Sequence, residues 1–382
     1  MGLPGHNGKK KIIILYAPIG SGHAKAASAL KRELEAFGGV ELVSGDIFDF
    51  APRMFGKLLL RIYMGMLKIW PSSYDFLYKW GDKGSSLALR SVANRLFYAG
   101  ARRFFEREAP DAVIATHFAP AGVAALYKKE SGKNMPLFGV ITDYAMHRWW
   151  AYDEVDVYIG ADKEMFADCR ADMKPGRAVW DVGIPIDREF CPACADGKET
   201  LRRKLGFARD AFVCVMSGGG EGLLDMREIM AAWRREADKH PRVFFVAVCG
   251  KNGRLKNQLS RLALPYLRVL GFVENFAQYI KAADLAISKA GGLTAAEVIA
   301  VGLPLIIYRP LPGQEFVNAG RLAERKLALL AKSPEEACRM VIAGSAREKS
   351  FMGEIKKNQR ALGKPFAAKD AALRICAFLG DK

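Results

Sequence analysis

In the stretch APIGSGHAKAASAL (residues 17–30), His23 follows Gly20 and Gly22 where an apolar run gives way to a helical pattern. An imidazole there can move a proton near neutral pH, and glycines let the backbone approach a ligand. The free N–H groups of a helix start attract an anion or a polar group. The plain alternative is a histidine that only caps or packs. A second stretch, GVITDYAMHRWW (residues 139–150), ends a buried run with Asp143 and continues to His147, Arg148 and two tryptophans. Asp143 is a candidate base, or a partner that orients His23. His147 stands beside it but could instead pack on Trp149 or Trp150.

Three later stretches suit a different task. In SGGGEGLLDM (residues 217–226), the successive glycines Gly218, Gly219 and Gly220 stand ahead of a helix and form a nest for a diphosphate. In SKAGGLTAAE (residues 288–297), Gly291 and Gly292 open another helix, with Leu293 following and Thr294 able to cap it. Glu297 falls one turn in, where a carboxylate can accept both hydroxyls of a ribose. In YRPLPGQEFVNA (residues 308–319), prolines stiffen a loop bearing Gln314, Glu315 and Asn318, the donors and acceptors that sugar hydroxyls require. Each has an ordinary reading: a tight turn, an acid favoured by the helix dipole, a solvated loop.

Other chemistries fit poorly. The first glycine turn lacks the third glycine of a dinucleotide fingerprint, and no Gly-Lys-Ser/Thr follows it. The pair Cys191 and Cys194 has no second pair at zinc spacing and lies in a linker-like stretch. No metal site and no cofactor is expected.

The elements that must position these residues recur along the chain. Strand-like runs at residues 12–16, 112–116, 137–142, 157–161 and 179–182 alternate with helical stretches, and a second series runs through 212–217, 243–249, 267–270, 285–288 and 305–308. Such alternation predicts parallel sheets with helices on both faces. The fold class is therefore α/β with two Rossmann-like domains, whose ligands bind at the carboxyl ends of the strands in an interdomain cleft. Domain limits of 1–186 and 187–362 follow from the Pro-, Gly- and charge-rich segment near residue 187. An amphipathic helix in 363–382 is expected to pack back toward the first domain.

The formal charge of +17 calls for an anionic partner. Between Arg53 and Arg107 there are eleven Lys or Arg against three acids, interleaved with Trp, Tyr, Leu and Met. Arg53, Lys57, Arg61, Lys68 and Trp70 mark this insert as a surface for an anionic lipid headgroup layer. Ordinary helix cores with solvated charges are the alternative. Nucleic acid is disfavoured because no base-stacking platform or known module is evident. No apolar run approaches the ~18–20 residues that cross a bilayer, and the scattered, odd set of seven cysteines suits a reduced cytosol.

Taken together, GSGH, TDY…H, GIPI, CGKN, GFVENF and SKAGGLTAAEVIAVGLPLIIYRPLPGQE with NA resemble the diacylglycerol glycosyltransferases of glycosyltransferase family 28. That family holds the bacterial processive glucosyltransferases and plant monogalactosyldiacylglycerol synthases, relatives of the peptidoglycan N-acetylglucosaminyltransferase. Ala290 stands where the glucosyltransferases often have proline. The resemblance implies a GT-B fold and a UDP-sugar, UDP-glucose or UDP-galactose, held by the C-terminal domain. Backbone at Phe272 and Val273 would receive the uracil, Glu297 the ribose, Gly219, Gly220 and Gly292 the diphosphate, and Gln314 and Glu315 the sugar. His23 would face a diacylglycerol acceptor, and Asp143 with His147 match the family's Asp-xxx-His. The implied reaction is inverting, independent of metal, and carried out by a peripheral protein at the cytoplasmic face of the membrane. Three rivals are a UDP-N-acetylglucosamine-dependent transferase acting on a polyprenol-linked or other saccharolipid, a UDP-sugar epimerase, and a noncatalytic UDP-sugar sensor.

Overall fold

A computed structural model of the chain describes residues 9–51, 86–194, 196–346 and 349–380. Arg53, Lys57, Arg61, Lys68 and Trp70, proposed for lipid contact, lie outside the described residues. The chain divides into two compact units. The first runs to Ile186 and also takes Pro312–Gln314 and the stretch from Phe366 onward; the second takes Asp187–Leu311 and Glu315–Pro365.

The first unit is built on a six-stranded, wholly parallel sheet: β1 (Lys10–Tyr16), β2 (Val40–Asp46), β3 (Ala112–Ala115), β4 (Leu137–Val140), β5 (Val157–Ile159) and β6 (Ala178–Trp180), in the order β2-β1-β3-β4-β5-β6. Ile12, Ile13, Ile14 and Leu15 are all buried, which is what a strand covered on both faces requires. The Gly22–Phe37 helix turns Ala26, Ala27, Leu30 and Leu34 inward. The Ala367–Gly380 helix adds Ala371, Ala372, Ile375 and Leu379 to the same core, and Phe378 meets Phe138 edge-on at 5.5 Å.

The second unit repeats the plan with β7 (Phe212–Ser217), β8 (Val243–Val248), β9 (Leu267–Leu270), β10 (Leu285–Ser288), β11 (Leu305–Tyr308) and β12 (Leu329–Ala331), ordered β12-β11-β10-β7-β8-β9 and parallel throughout. Its core holds Trp233 against Phe245 at 5.0 Å, edge-on. Two strands, β2 and β12, are absent from the apolar runs read in the sequence. Both lie at sheet edges and are only partly buried, so their residues lack the continuous apolar signature of a central strand.

Each sheet reverses its strand order once, between β1 and β3 in the first unit and between β7 and β10 in the second. Adjacent helices leave opposite faces at such a point, and the strand ends beneath form an open crevice. The glycine turns of interest follow these strands. Among the described residues, no helix is long and apolar enough to cross a membrane.

Candidate functional site

In the first unit, β1 leads through Gly20, whose φ of +72° suits glycine, to a helix that starts at Gly22. His23 therefore sits at the switch point beside the end of β3. Its Nδ1 lies 2.8 Å from the carbonyl oxygen of Thr116. A carbonyl only accepts, so Nδ1 carries the proton and Nε2 keeps its lone pair. Thr142 Oγ1, just beyond β4, lies 2.9 Å from the same nitrogen and shares that proton. The Thr116 hydroxyl returns to the His23 carbonyl at 3.1 Å, so ring and backbone are both fixed.

His117 meets the His23 ring edge-on, with centroids 4.7 Å apart. Its Nδ1 accepts the Ala119 N–H and caps the Phe118–Ser131 helix. Burial lowers the His23 pKa to about 4, against a smaller opposing pull from the Thr116 carbonyl. Burial, and then the charge of a protonated His23, push His117 well below the usual imidazole range. Both rings are thus neutral bases at physiological pH.

Asp143 follows Thr142 directly and is half-buried. Thr142, its neighbour, reaches His23 through its side chain. His147 is buried; its Nδ1 accepts the Trp149 N–H at 3.2 Å, and its ring stands edge-on to Trp149 at 5.8 Å. Phe118 joins this group to His117, its ring 4.0 Å from one histidine and 6.4 Å from the other. Gln314 belongs to the first unit, where its Nε2 donates to the Ala145 carbonyl at 2.8 Å.

In the second unit, the turn after β7 is closed on itself. Gly219 N–H reaches Ser217 Oγ at 3.3 Å, Gly222 N–H donates to the Gly219 carbonyl at 3.0 Å, and Leu223 N–H to the Gly218 carbonyl at 3.1 Å. Gly219 and Gly222 have positive φ, as does Gly250 on the neighbouring loop, whose Lys251 N–H donates to the Gly220 carbonyl at 2.8 Å. The expected helix start at this nest is displaced. The helix runs Met226–Trp233, because Asp225 caps it by accepting the Arg227 N–H at 3.1 Å.

After β10 the helix begins at Gly292 with Gly291 as its cap residue, so Thr294 lies inside the first turn and is not the cap, contrary to expectation. Leu293 and Glu297 are buried on this helix. Asn318 is fully buried and donates to the Ala290 carbonyl at 3.1 Å, which ties the Gln314–Glu324 helix to this turn. Glu315 is ion-paired with Lys289, and its second oxygen accepts the Leu311 N–H at 3.1 Å. Phe272 is 52% exposed and Val273 is half-buried.

Thr116, His117, Thr142 and Lys289 were not singled out in the sequence. Position was the available signal: each follows a parallel strand directly or within two residues, at its carboxyl end. Among the described residues, no group of three or more His, Cys, Asp or Glu is arranged to hold a metal ion.

The state of His23 can be measured directly. In an NMR titration of protein carrying labelled histidines, one ring is expected to stay neutral with its proton on Nδ1 down to about pH 4. The folded pKa lies below the ordinary 6.5, so the unfolded chain binds the proton first. Stability is fully present above 6.5 and declines as pH falls from there toward 4. A His23 midpoint near 6.5 would contradict the buried, carbonyl-bonded ring.

Residues 23–186 match the family model for monogalactosyldiacylglycerol (MGDG) synthase, and residues 212–368 match the C-terminal domain of glycosyltransferase family 28. The processive diacylglycerol beta-glucosyltransferase of Bacillus licheniformis is 30% identical over 364 residues, covering 93% of this chain and 92% of the relative. The Bacillus subtilis protein of the same name is 29% identical over equal shares. Among solved structures, Acinetobacter baumannii MurG superposes with a TM-score of 0.63 at 17% identity, covering 96% of this chain and 99% of its own. Staphylococcus aureus MnaA, solved with UDP, gives 0.64 at 13% identity and 97% of each chain. At such identities the likeness is one of fold, the GT-B fold.

Proposed function

Because the chain belongs to the diacylglycerol glycosyltransferases of family 28, we propose that it transfers a hexose from UDP-glucose or UDP-galactose to diacylglycerol, or to a glycosyl-diacylglycerol, at a membrane surface, with inversion. One observation carries the mechanism. The His23 ring is fixed with Nδ1–H on the Thr116 carbonyl, which leaves Nε2 unprotonated at the switch point of the first sheet.

In the proposed step, the acceptor hydroxyl oxygen forms the new bond to the anomeric carbon while the bond from that carbon to the phosphate oxygen breaks. Nε2 of His23 takes the hydroxyl proton, and UDP departs with the bonding pair. Burial keeps the ring unprotonated across the physiological range. At about 4, however, its proton affinity lies below the near-neutral value expected from the sequence, so it is a weaker base than that reading assumed. His117 and Thr142 act through His23 and are positioning residues. Asp143 is the alternative base, and His147 is assigned to the acceptor side with Gly20 and Gly22.

The nucleotide part of the donor is assigned to the second unit. Glu297 is assigned to the ribose, the backbone at Phe272 and Val273 to the uracil, and the turn at Gly218–Gly220 with the helix start at Gly291–Gly292 to the diphosphate. Backbone N–H groups of a turn and a helix start can stabilise developing negative charge, so our reading requires no metal and no cofactor. Gln314, Glu315 and Asn318 are assigned to the sugar side. The basic aromatic insert between Arg53 and Arg107 is the proposed anchor for a peripheral protein on anionic lipid, at the cytoplasmic face.

The test is to incubate the protein with labelled UDP-glucose or UDP-galactose and vesicles of diacylglycerol, with and without anionic phospholipid. The expected product is a glycosyl-diacylglycerol with the β configuration, identified by mass spectrometry and NMR and formed faster on anionic vesicles. Release of free sugar without labelled lipid would overturn the acceptor assignment, and an α-linked product would overturn inversion.

A further inference from the structure

In the second unit, three separate stretches meet at one side chain. Lys289 follows β10 directly, and only 13% of its side chain is exposed. A Cβ placed on Gly219, in the turn after β7, would lie 3.8 Å from Lys289 Cε. A Cβ placed on Gly291, the cap of the next helix, would lie 3.7 Å both from Lys289 Nζ and from Glu315 Oε1. The ammonium itself is paired with Glu315, which is 15% exposed and lies in the first turn of the Gln314–Glu324 helix. One cation thus lies beside both glycine turns and holds the acid that follows the stiff proline loop.

The Glu315 carboxylate balances the charge of this little-exposed ammonium but not its capacity to donate hydrogen bonds. An ammonium has three donors, and a single carboxylate oxygen uses one. The nearby turns are backbone cradles suited to an anion, and the one carboxylate within them, Glu221, is paired with Lys251 at 3.7 Å. Glu315 is fixed at both oxygens, by Lys289 on one and the Leu311 N–H on the other, so its remaining lone pairs have set directions.

We propose that Lys289 is the donor-side cation of the transfer reaction: its ammonium binds the diphosphate of the nucleotide sugar between the two glycine turns, while its bond to Glu315 aims that carboxylate at the sugar. This rests on the donor assignment made above. The charge that grows on UDP as the glycosidic bond breaks then falls on a group already in place, with no reorganisation at the moment of reaction. Lysine suits this place because it binds phosphate as a compact point charge.

Calorimetric titration with UDP, together with transfer kinetics, tests this on the full chain. Lys289→Met should weaken UDP binding at least tenfold, lower kcat about a hundredfold and flatten the dependence of UDP affinity on salt. Lys289→Arg should restore most of the UDP affinity but not the rate, since the aim of Glu315 is altered. Lys289→Met leaves the Glu315 charge without its partner and could unfold locally. The double variant Lys289→Met, Glu315→Gln removes both charges and should still lose UDP affinity, whereas Glu315→Gln alone should retain it and lose transfer. UDP affinity within twofold of the wild type in folded Lys289→Met or in the double variant would overturn the proposal. If the wild-type protein itself gave no binding of UDP, the donor reading would fall instead.

Discussion

Replacing His23 by alanine is expected to lower kcat roughly 10²- to 10⁴-fold while UDP affinity stays within about twofold. The asymmetry follows from where the residue sits. His23 belongs to the first unit, and the nucleotide is assigned wholly to the second, so a truncated imidazole removes the base and leaves the donor contacts intact. His23→Asn is the sharper variant, because its Nδ2, like the imidazole Nδ1, is bonded to Cγ. Its amide can keep a donor toward the Thr116 carbonyl, so the local fold is spared, but it offers no basic nitrogen to the acceptor hydroxyl. The pH profile supplies a second reading of the same claim. Activity that depends on neutral His23 should persist well below pH 6.5 and fail near the proton affinity of the buried ring, about 4. Retention of more than a tenth of wild-type kcat by both variants would transfer the role of base to Asp143.

The parts of this arrangement that were legible in the sequence are those marked by residue type. A glycine turn after an apolar run, followed by a helical pattern, announces itself, and His23, Gly291 and Gly292 stand at such places. Partners set by strand order do not. His23 is ninety-three residues from Thr116, and the bond goes to a backbone carbonyl that no side chain advertises. The two meet because β1 and β3 are neighbours, in register from Ile12 with Ala112 to Leu15 with Ala115. Thr142 reaches the same nitrogen only because β4 lies next to β3. Lys289 escaped notice for a different reason: a lysine beside a turn ordinarily reads as a solvated charge, and only the fold shows how little of it reaches water. The helix after β7 was placed too early because glycines alone do not start a helix. Asp225, an N-cap type residue a few positions on, was the better signal.

The turn after β7 also yields the largest expected loss of stability. Gly222 has φ of +63°, and a Cβ there would overlap the Cys249 carbonyl oxygen and come within 2.8 Å of Asn252 Cβ. Neither neighbour can retreat cheaply. The Cys249 N–H is bonded into the sheet through the Leu270 carbonyl, and Asn252 both donates to the Gly222 carbonyl at 3.0 Å and caps the Gly253–Ser260 helix. Gly222→Ala therefore combines a left-handed backbone penalty with a steric one, roughly 2–5 kcal/mol together. For a unit of this size that corresponds to a fall in Tm of about 5–15 °C. The consequence extends past stability, since the Gly220 carbonyl is held by Lys251 N–H, and displacing the neighbouring loop reshapes the cradle assigned to the diphosphate. UDP affinity should drop more than tenfold in Gly222→Ala even at temperatures where the protein stays folded. Gly253→Ala is the matched control. It opens the adjacent helix, its Cβ would meet nothing within 4 Å, and alanine is the better helix former there, so Tm should hold or rise slightly. Equal melting temperatures and equal UDP affinities for the two variants would mean that the Gly218–Gly222 turn is neither rigid nor part of the donor site.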